Sequence, residues 1–307
     1  MNPKNRAWLL IAVVAALCGG SVWGIAWYRD RPIATARLLK RLPLRDALIV
    51  YIDFAELRRG GILRPLDGAK IEEDPDYQSF ARKIDFDWKQ DLDGLILASA
   101  PNGNFFFARG HFDWKSLRTY AISVGGECYN SLCRATGSTP ERRISFFPVQ
   151  SRLMALAVSS DQSAVLNLQN SRTGPDPDVP NAPLWVSIPS SLLRSSANLP
   201  SGTRMFAHSM EQADSVVLTF APEGDRIAAR LEVRCRNEHD ALEVAGQLAS
   251  ATLTLKQMME REHQTPGPAD LAGVLASGNF RSEGSRVLGY WPIERAFVEN
   301  VLSGGVS

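Results

Sequence analysis

The sequence predicts an α+β protein: an N-terminal transmembrane helix followed by two similar domains of antiparallel sheet with helices on one face. Three observations carry this. The stretch Ala7 to Tyr28 holds 22 residues without a charge, directly after Lys4 and Arg6. Short apolar runs separated by Pro-Gly turn signals alternate with segments whose apolar residues recur every three to four positions, the mix that places helices against hairpins. The order of these segments then repeats in the second half of the chain, the mark of an internal duplication.

Residues 1–6 form a basic tail and residues 7–28 the anchor. At about 1.5 Å per residue a 22-residue helix spans roughly 33 Å, enough for a bilayer core of about 30 Å. A cleaved signal peptide is the rival, but its apolar core is shorter. Here the run continues past Gly19, Gly20 and Ser21 to Trp23, Trp27 and Tyr28, aromatics that suit the membrane-water interface. Cys18 follows Leu17 rather than the small residue that lipid attachment needs.

Residues 29–41 read as a basic juxtamembrane linker lying against anionic head groups or solvated as a spacer. Arg29, Arg31, Arg37, Lys40, Arg41 and Arg45 outnumber Lys4 and Arg6, which by the positive-inside rule favours a cytoplasmic body. A basic tail before the apolar run favours export, and long domains translocate largely regardless of charge. The extracytoplasmic side is the preferred reading.

The first α+β domain is expected over 42–170 and the second over 182–307. Ala47 to Arg58 aligns without gaps on Pro183 to Arg194, each an apolar strand entering a short helix. Asp93 to Gly103 aligns on Asp214 to Gly224, both ending Ala-Pro-x-Gly, where Pro presets one φ and Gly supplies a positive one. Strands follow at Asn104 to Phe112 and Asp225 to Cys235. Helical spacing comes next, through Trp114, Leu117, Ala121 and Val124 in one copy and Ala241, Ala245, Leu248, Thr252, Leu255 and Met259 in the other. Hairpins close each copy: Arg143 to Val149 with Arg152 to Val158, and Gly278 to Ser282 with Arg286 to Trp291. A short terminal helix ends each, the last one starting at Pro292. Between the halves, residues 171–181 begin a stretch to Pro183 with four prolines, which excludes a helix interior or central strand and marks a domain linker.

Leu42-Pro43, the strand Ile49 to Asp53 and the acidic segment Asp85 to Asp93 resemble membrane-anchored bacterial envelope proteins of unknown function with duplicated α+β units. The resemblance implies that architecture and carries over no catalytic residue.

The composition excludes a nucleic-acid binder: 34 Lys plus Arg against 33 Asp plus Glu is a net charge of +1, with no basic stripe outside the juxtamembrane segment. Asp85, Asp87, Asp91 and Asp93 fail the EF-hand pattern, because a loop with Gly94 at its sixth position has Lys89 at its first; Asp93 reads instead as a turn residue before a strand and the others as helix-end and solvated positions, and no metal and no cofactor is expected. Asp53 with Glu56 three residues on has capping-box spacing. Arg109, His111 and Asp113 fall on one face if the strand alternates, the one polar cluster that could orient an imidazole; the plainer reading is the solvated side of a sheet, with Asp113 capping the next helix. No Gly-x-Ser-x-Gly, His-Glu-x-x-His or phosphate-binding loop accompanies it. Cys128 and Cys133 flank an Asn130-Ser131 turn, so they are cross-strand partners within disulfide reach, while Cys235 packs as a small apolar residue.

The function expected is a single-pass, extracytoplasmic binding, scaffold or assembly protein that contacts lipid through residues 7–28 and engages a partner protein or ligand between the copies. Its alternatives are a membrane-tethered, hydrolase-like enzyme working near His111 and a cytoplasm-facing membrane adaptor.

Overall fold

The structure, a computed structural model, describes residues 32–63, 75–137, 139, 142–194, 201–262 and 267–302. The anchor segment 7–28 lies outside them, and among the described residues no helix is long and apolar enough to cross a membrane.

Among the described residues the strands form one antiparallel sheet of twelve, in the order β11-β12-β10-β9-β8-β1-β2-β3-β7-β6-β5-β4. In the first half these are β1 (Leu48–Ile52), β2 (Leu92–Ala100), β3 (Gly103–Gly110), β4 (Glu127–Tyr129), β5 (Leu132–Thr136), β6 (Arg143–Gln150) and β7 (Leu153–Ser159). The second half supplies β8 (Leu184–Ile188), β9 (Ser215–Glu223), β10 (Arg226–Arg234), β11 (Asn279–Glu283) and β12 (Arg286–Glu294). Outward from the β1/β8 pair the order is β1-β2-β3-β7-β6 on one side and β8-β9-β10-β12-β11 on the other. The same layout therefore occurs twice, with the β4-β5 hairpin an addition to the first half. The halves do not make separate sheets: Ile49↔Ser187 through Ile52↔Leu184 zip them together. Their first strands are equally short, five residues each, and pairing them satisfies the N–H and C=O groups that each would otherwise present at an open edge.

One face carries most helices. Over the first half lie α2 (Phe54–Arg59), α3 (Pro75–Ile84), α4 (Trp88–Asp91) and α5 (Trp114–Ser123), around Phe54, Leu117, Ala121, Phe146 and Met154. Over the second lie α6 (Ser190–Arg194), α7 (Ser201–Ser209), α8 (Glu238–Arg261), α9 (Leu271–Ala276) and α10 (Arg295–Leu302). The 24-residue α8 buries Ala241, Val244, Leu248, Ala251, Thr252, Leu255 and Met259, the three-to-four spacing of a helix on a sheet. Asn237 caps it by accepting from the Asp240 N–H at 2.8 Å.

Two expectations about the helices need correction. Helices are not confined to one face, because α1 (Thr35–Leu39) and a 3-10 turn at Ala164–Leu168 cover the opposite face of the first half. Leu38, Leu39, Leu42, Val165 and Leu168 pack there on Ile49, Ile96, Phe105, Phe107 and Leu153. The Phe105-Phe106-Phe107 run is continuous rather than alternating, the pattern of a strand covered on both sides. It follows that residues 29–41 are not all linker, since Leu38 and Leu39 are 2% exposed. The second correction concerns Pro292, which lies in β12 opposite Ala228, the helix beginning only at Arg295. Pairing with β11 stops at Tyr290, so beyond it β12 is an edge where a missing N–H is tolerated. The Ala-Pro-x-Gly turns also differ in register: Ala100 pairs with Gly103, whereas Pro222 is itself paired and the second turn falls after Glu223. Gly103 and Gly224 both have positive φ, 140° and 62°.

Candidate binding cleft

Cross-strand register locates the site. On the face opposite α8, one row of mutually opposed residues runs Phe107, Ile96, Tyr51, Trp185, Thr219, Arg230, Tyr290. Directly opposed residues share a face, so the row records where apolar cover ends. Through Trp185 it belongs to the core under α1 and the 3-10 turn, Phe107, Ile96 and Trp185 buried and Tyr51 half-buried; from Thr219 onward it is polar. The change falls at the seam where β8 leaves β1 for β9.

An open cleft of about 780 Å³ sits at this seam. Trp185, Ser187, Val217 and Thr219 form its floor, Leu39, Leu44, Asp46, Ala47 and Ile49 line the first-half side, and Arg230, Glu232 and Arg234 line the other. Pro177 to Asn181 make a rim. Residues 171–183 carry neither helix nor strand, and they are tied to both halves: Lys40 meets Asp176 at 2.7 Å, and Arg234 meets Asp178 at 2.8 Å.

Trp185 is 3% exposed and stacks on Tyr51, with centroids 5.6 Å apart and planes 21° apart. Its indole Nε1 is buried without an acceptor among the described residues, an uncompensated cost. Arg234 lies between Asp178 and Glu232, and hydrogen bonds to these carboxylates raise its pKa. Arg230 pairs with Glu223 at 2.6 Å, and the Tyr290 hydroxyl donates to the same carboxylate at 2.5 Å. That bond is the first cause holding the Tyr290 phenol above its ordinary pKa. The half of the cleft facing the bare sheet is thus a lattice of paired charges; the half facing α1 is apolar and aromatic.

The residues singled out from sequence fall elsewhere. Arg109, His111 and Asp113 are not brought together. The ladder ends at Gly110, where an added Cβ would run into Asp91 O, and the chain turns away with the His111 N–H donating to Asp91 O at 2.8 Å. Arg109 donates to Ile33 O at 2.8 Å. Asp113 caps α5, accepting from the Lys115 and Ser116 N–H groups and the Ser116 hydroxyl, and the Ser116 side chain is the largest cause of its lowered pKa. Asp53 Oδ1 accepts the Glu56 N–H at 2.7 Å as the cap of α2; the Glu56 side chain makes no reciprocal bond among those described.

Asp87 caps α4 and Asp91 accepts the Asp87 N–H. Asp93 is not a turn residue: it sits at a β-bulge in β2 with its carboxylate bridging Arg58 and Arg152 at 3.0 and 2.7 Å. Among the described residues no group of three His, Cys, Asp or Glu could hold a metal ion. Cys128 and Cys133 are opposed in the β4-β5 hairpin and disulfide-bonded, Cα atoms 4.1 Å apart, with Asn130 of the turn at φ 53°. Cys235 is free and buried, and desolvation raises its pKa.

Trp185, Thr219 and Arg230 were missed as a site. The alternation Arg230, Glu232, Arg234 along β10 was the available signal, since a polar residue at every second strand position marks an uncovered face.

No protein-family model and no curated protein matches the chain. Among solved structures it is similar in fold to TP0453. Crystal form III of that protein superposes with a TM-score of 0.50 at 10% identity, covering 87% of this chain and 97% of that one. Crystal forms IV and I both give 0.46, at 10% and 13% identity, over 86% and 88% of this chain and 96% and 97% of theirs. At such identity the likeness concerns the fold alone: an α+β arrangement around a large antiparallel sheet.

Proposed function

We propose that the protein is a membrane-anchored, extracytoplasmic binding or assembly protein whose ligand or partner sits in the seam cleft between two copies of one α+β unit. The single observation that carries the reading is the cleft at Trp185 and Thr219, where a covered apolar face meets an uncovered polar one. Such a boundary offers a ligand apolar contact and oriented hydrogen bonds together. The matched strand orders on either side of β1/β8 support the duplication. The apolar run Ala7 to Tyr28 supports the anchor, and the bridged Cys128 and Cys133 support an oxidising compartment.

The test is a photoreactive amino acid at Thr219 in the full chain in living cells, with Leu253 on the far side of α8 as control. A discrete light-dependent adduct at Thr219, absent at Leu253 and lost on Arg230→Glu, is expected. No adduct at Thr219, or the same adducts at both positions, would remove the cleft from consideration. Protease added to intact spheroplasts should digest the body; full protection would place it in the cytoplasm.

A further inference from the structure

The basic segment after the anchor is partly folded. Leu38, Leu39 and Leu42 are buried under the sheet, which leaves Arg37 and Arg45 exposed and Arg41 half-buried. Arg172, also exposed, is brought alongside by its N–H donating to Lys40 O at 2.9 Å. Lys40 is neutralised by Asp176. Arg37, Arg41, Arg45 and Arg172 have no carboxylate within ion-pair distance among the described residues, and Arg41 Nε is buried with no acceptor. Burial and the neighbouring Arg37 charge together lower the Arg41 pKa, as expected where positive charge gathers without a counter-anion.

Chain length limits what can supply that anion. Thr35 is seven residues beyond Tyr28, the end of the apolar run, so at about 3.5 Å per residue α1 stays within roughly 25 Å of the membrane surface. The surface field of an anionic leaflet acts within about a Debye length, roughly 10 Å, a gap the tether spans easily.

We propose that Arg37, Arg41, Arg45 and Arg172 form a docking face for the anionic lipid head groups of the bilayer that holds the anchor. Docking lays α1 on the membrane and holds the cleft rim at Leu44 and Asp46 beside the head groups, so that the cleft faces the membrane surface rather than bulk solvent. The inference rests on the retained anchor of the proposed function and adds the orientation of the body.

The experiment uses full-length protein in vesicles, with Cys18 and Cys235 replaced by Ala, a fluorophore at Leu44→Cys and a nitroxide quencher on the lipid head groups. Leu44 is 38% exposed; a control probe goes at Leu253→Cys, 59% exposed on α8. Each basic group near an anionic surface contributes about a factor of five to the docked population. Strong quenching at Leu44→Cys is expected in vesicles containing phosphatidylglycerol, falling several-fold in pure phosphatidylcholine, at about 1 M salt where screening is nearly complete, and in Arg37→Gln/Arg45→Gln/Arg172→Gln. The Leu253→Cys probe should stay bright throughout.

Equal quenching in neutral and anionic vesicles would overturn the proposal, as would equal quenching at both probes. Relief of quenching by millimolar inorganic phosphate at constant ionic strength would overturn it too, by making the site one for a free anion. Lipid composition and salt are varied on protein with unaltered arginines, so those arms do not depend on the triple variant folding. Failure of the anchor reads differently: the protein would then not float with neutral vesicles at high salt.

Discussion

Replacing Trp185 by Ala tests whether the seam is part of the core. A buried Trp removes about 200 Å² from water, worth roughly 5 kcal/mol at about 25 cal/mol per Å² as an upper figure. Against this, Nε1 is buried without a partner, and removing an unsatisfied donor returns about 1–3 kcal/mol. The net loss for Trp185→Ala is therefore about 2–4 kcal/mol, in the range of large-to-small core substitutions. Trp185→Phe keeps a ring against Tyr51 and deletes the stranded N–H, so the smaller ring's lost contacts are offset and stability should stay within about 1 kcal/mol of the parent. Urea unfolding of the full chain in a mild detergent, followed by tryptophan fluorescence and far-UV circular dichroism, measures both. The melting temperature should fall by about 10 °C for Ala, at roughly 2–4 °C per kcal/mol for a body of this size, and by no more than a few degrees for Phe. If Phe costs as much as Ala, the indole N–H is satisfied and the reasoning fails. If Ala costs under about 1 kcal/mol, the β1/β8 seam is not the covered junction that the register describes.

Asp53→Ala should cost about 1 kcal/mol by uncapping α2, while Asp53→Asn, which keeps an acceptor, should cost only a few tenths; thermal melts separate the two. Cys128→Ser/Cys133→Ser should lower stability by at most about 2 kcal/mol, because so small a loop restricts the unfolded chain little, and amide exchange should quicken at β4 while β1 to β3 stay protected. Unreduced folded protein should show no reaction of either thiol with an alkylating agent. The Asp113 carboxyl has a folded pKa below its unfolded one, so its contribution is present above the unfolded value of about 3.9 and is lost as pH falls through the folded value. Asp113→Asn should flatten that part of an acid titration followed by circular dichroism, and an unchanged acid limb would count against the cap.

Local chemistry was legible wherever neighbouring residues decide it. Asp53, Asp113, the Asn130-Ser131 turn and the periodicity of α8 all depend on contacts within a few positions, so propensity and spacing suffice to read them. Long-range placement was not. The alternation rule put Arg109, His111 and Asp113 on one face, but it holds only inside a ladder, and the ladder ends at Gly110 where Asp91 O closes on the backbone. Asp93 read as a turn residue because nothing nearby in sequence announces Arg58 and Arg152, 35 and 59 positions away.

By itself the sequence determined the alternation of hairpins and helices and the caps, since each is written in contacts or periods of two to four residues. Tertiary structure alone decided that β1 pairs with β8, that α1 covers the second face of the first half, and that Trp185 and Thr219 meet where this cover stops. Strand partners and buried faces are chosen by which apolar surfaces remain unpaired once every element has formed, and that competition runs across the whole chain rather than within any window of it.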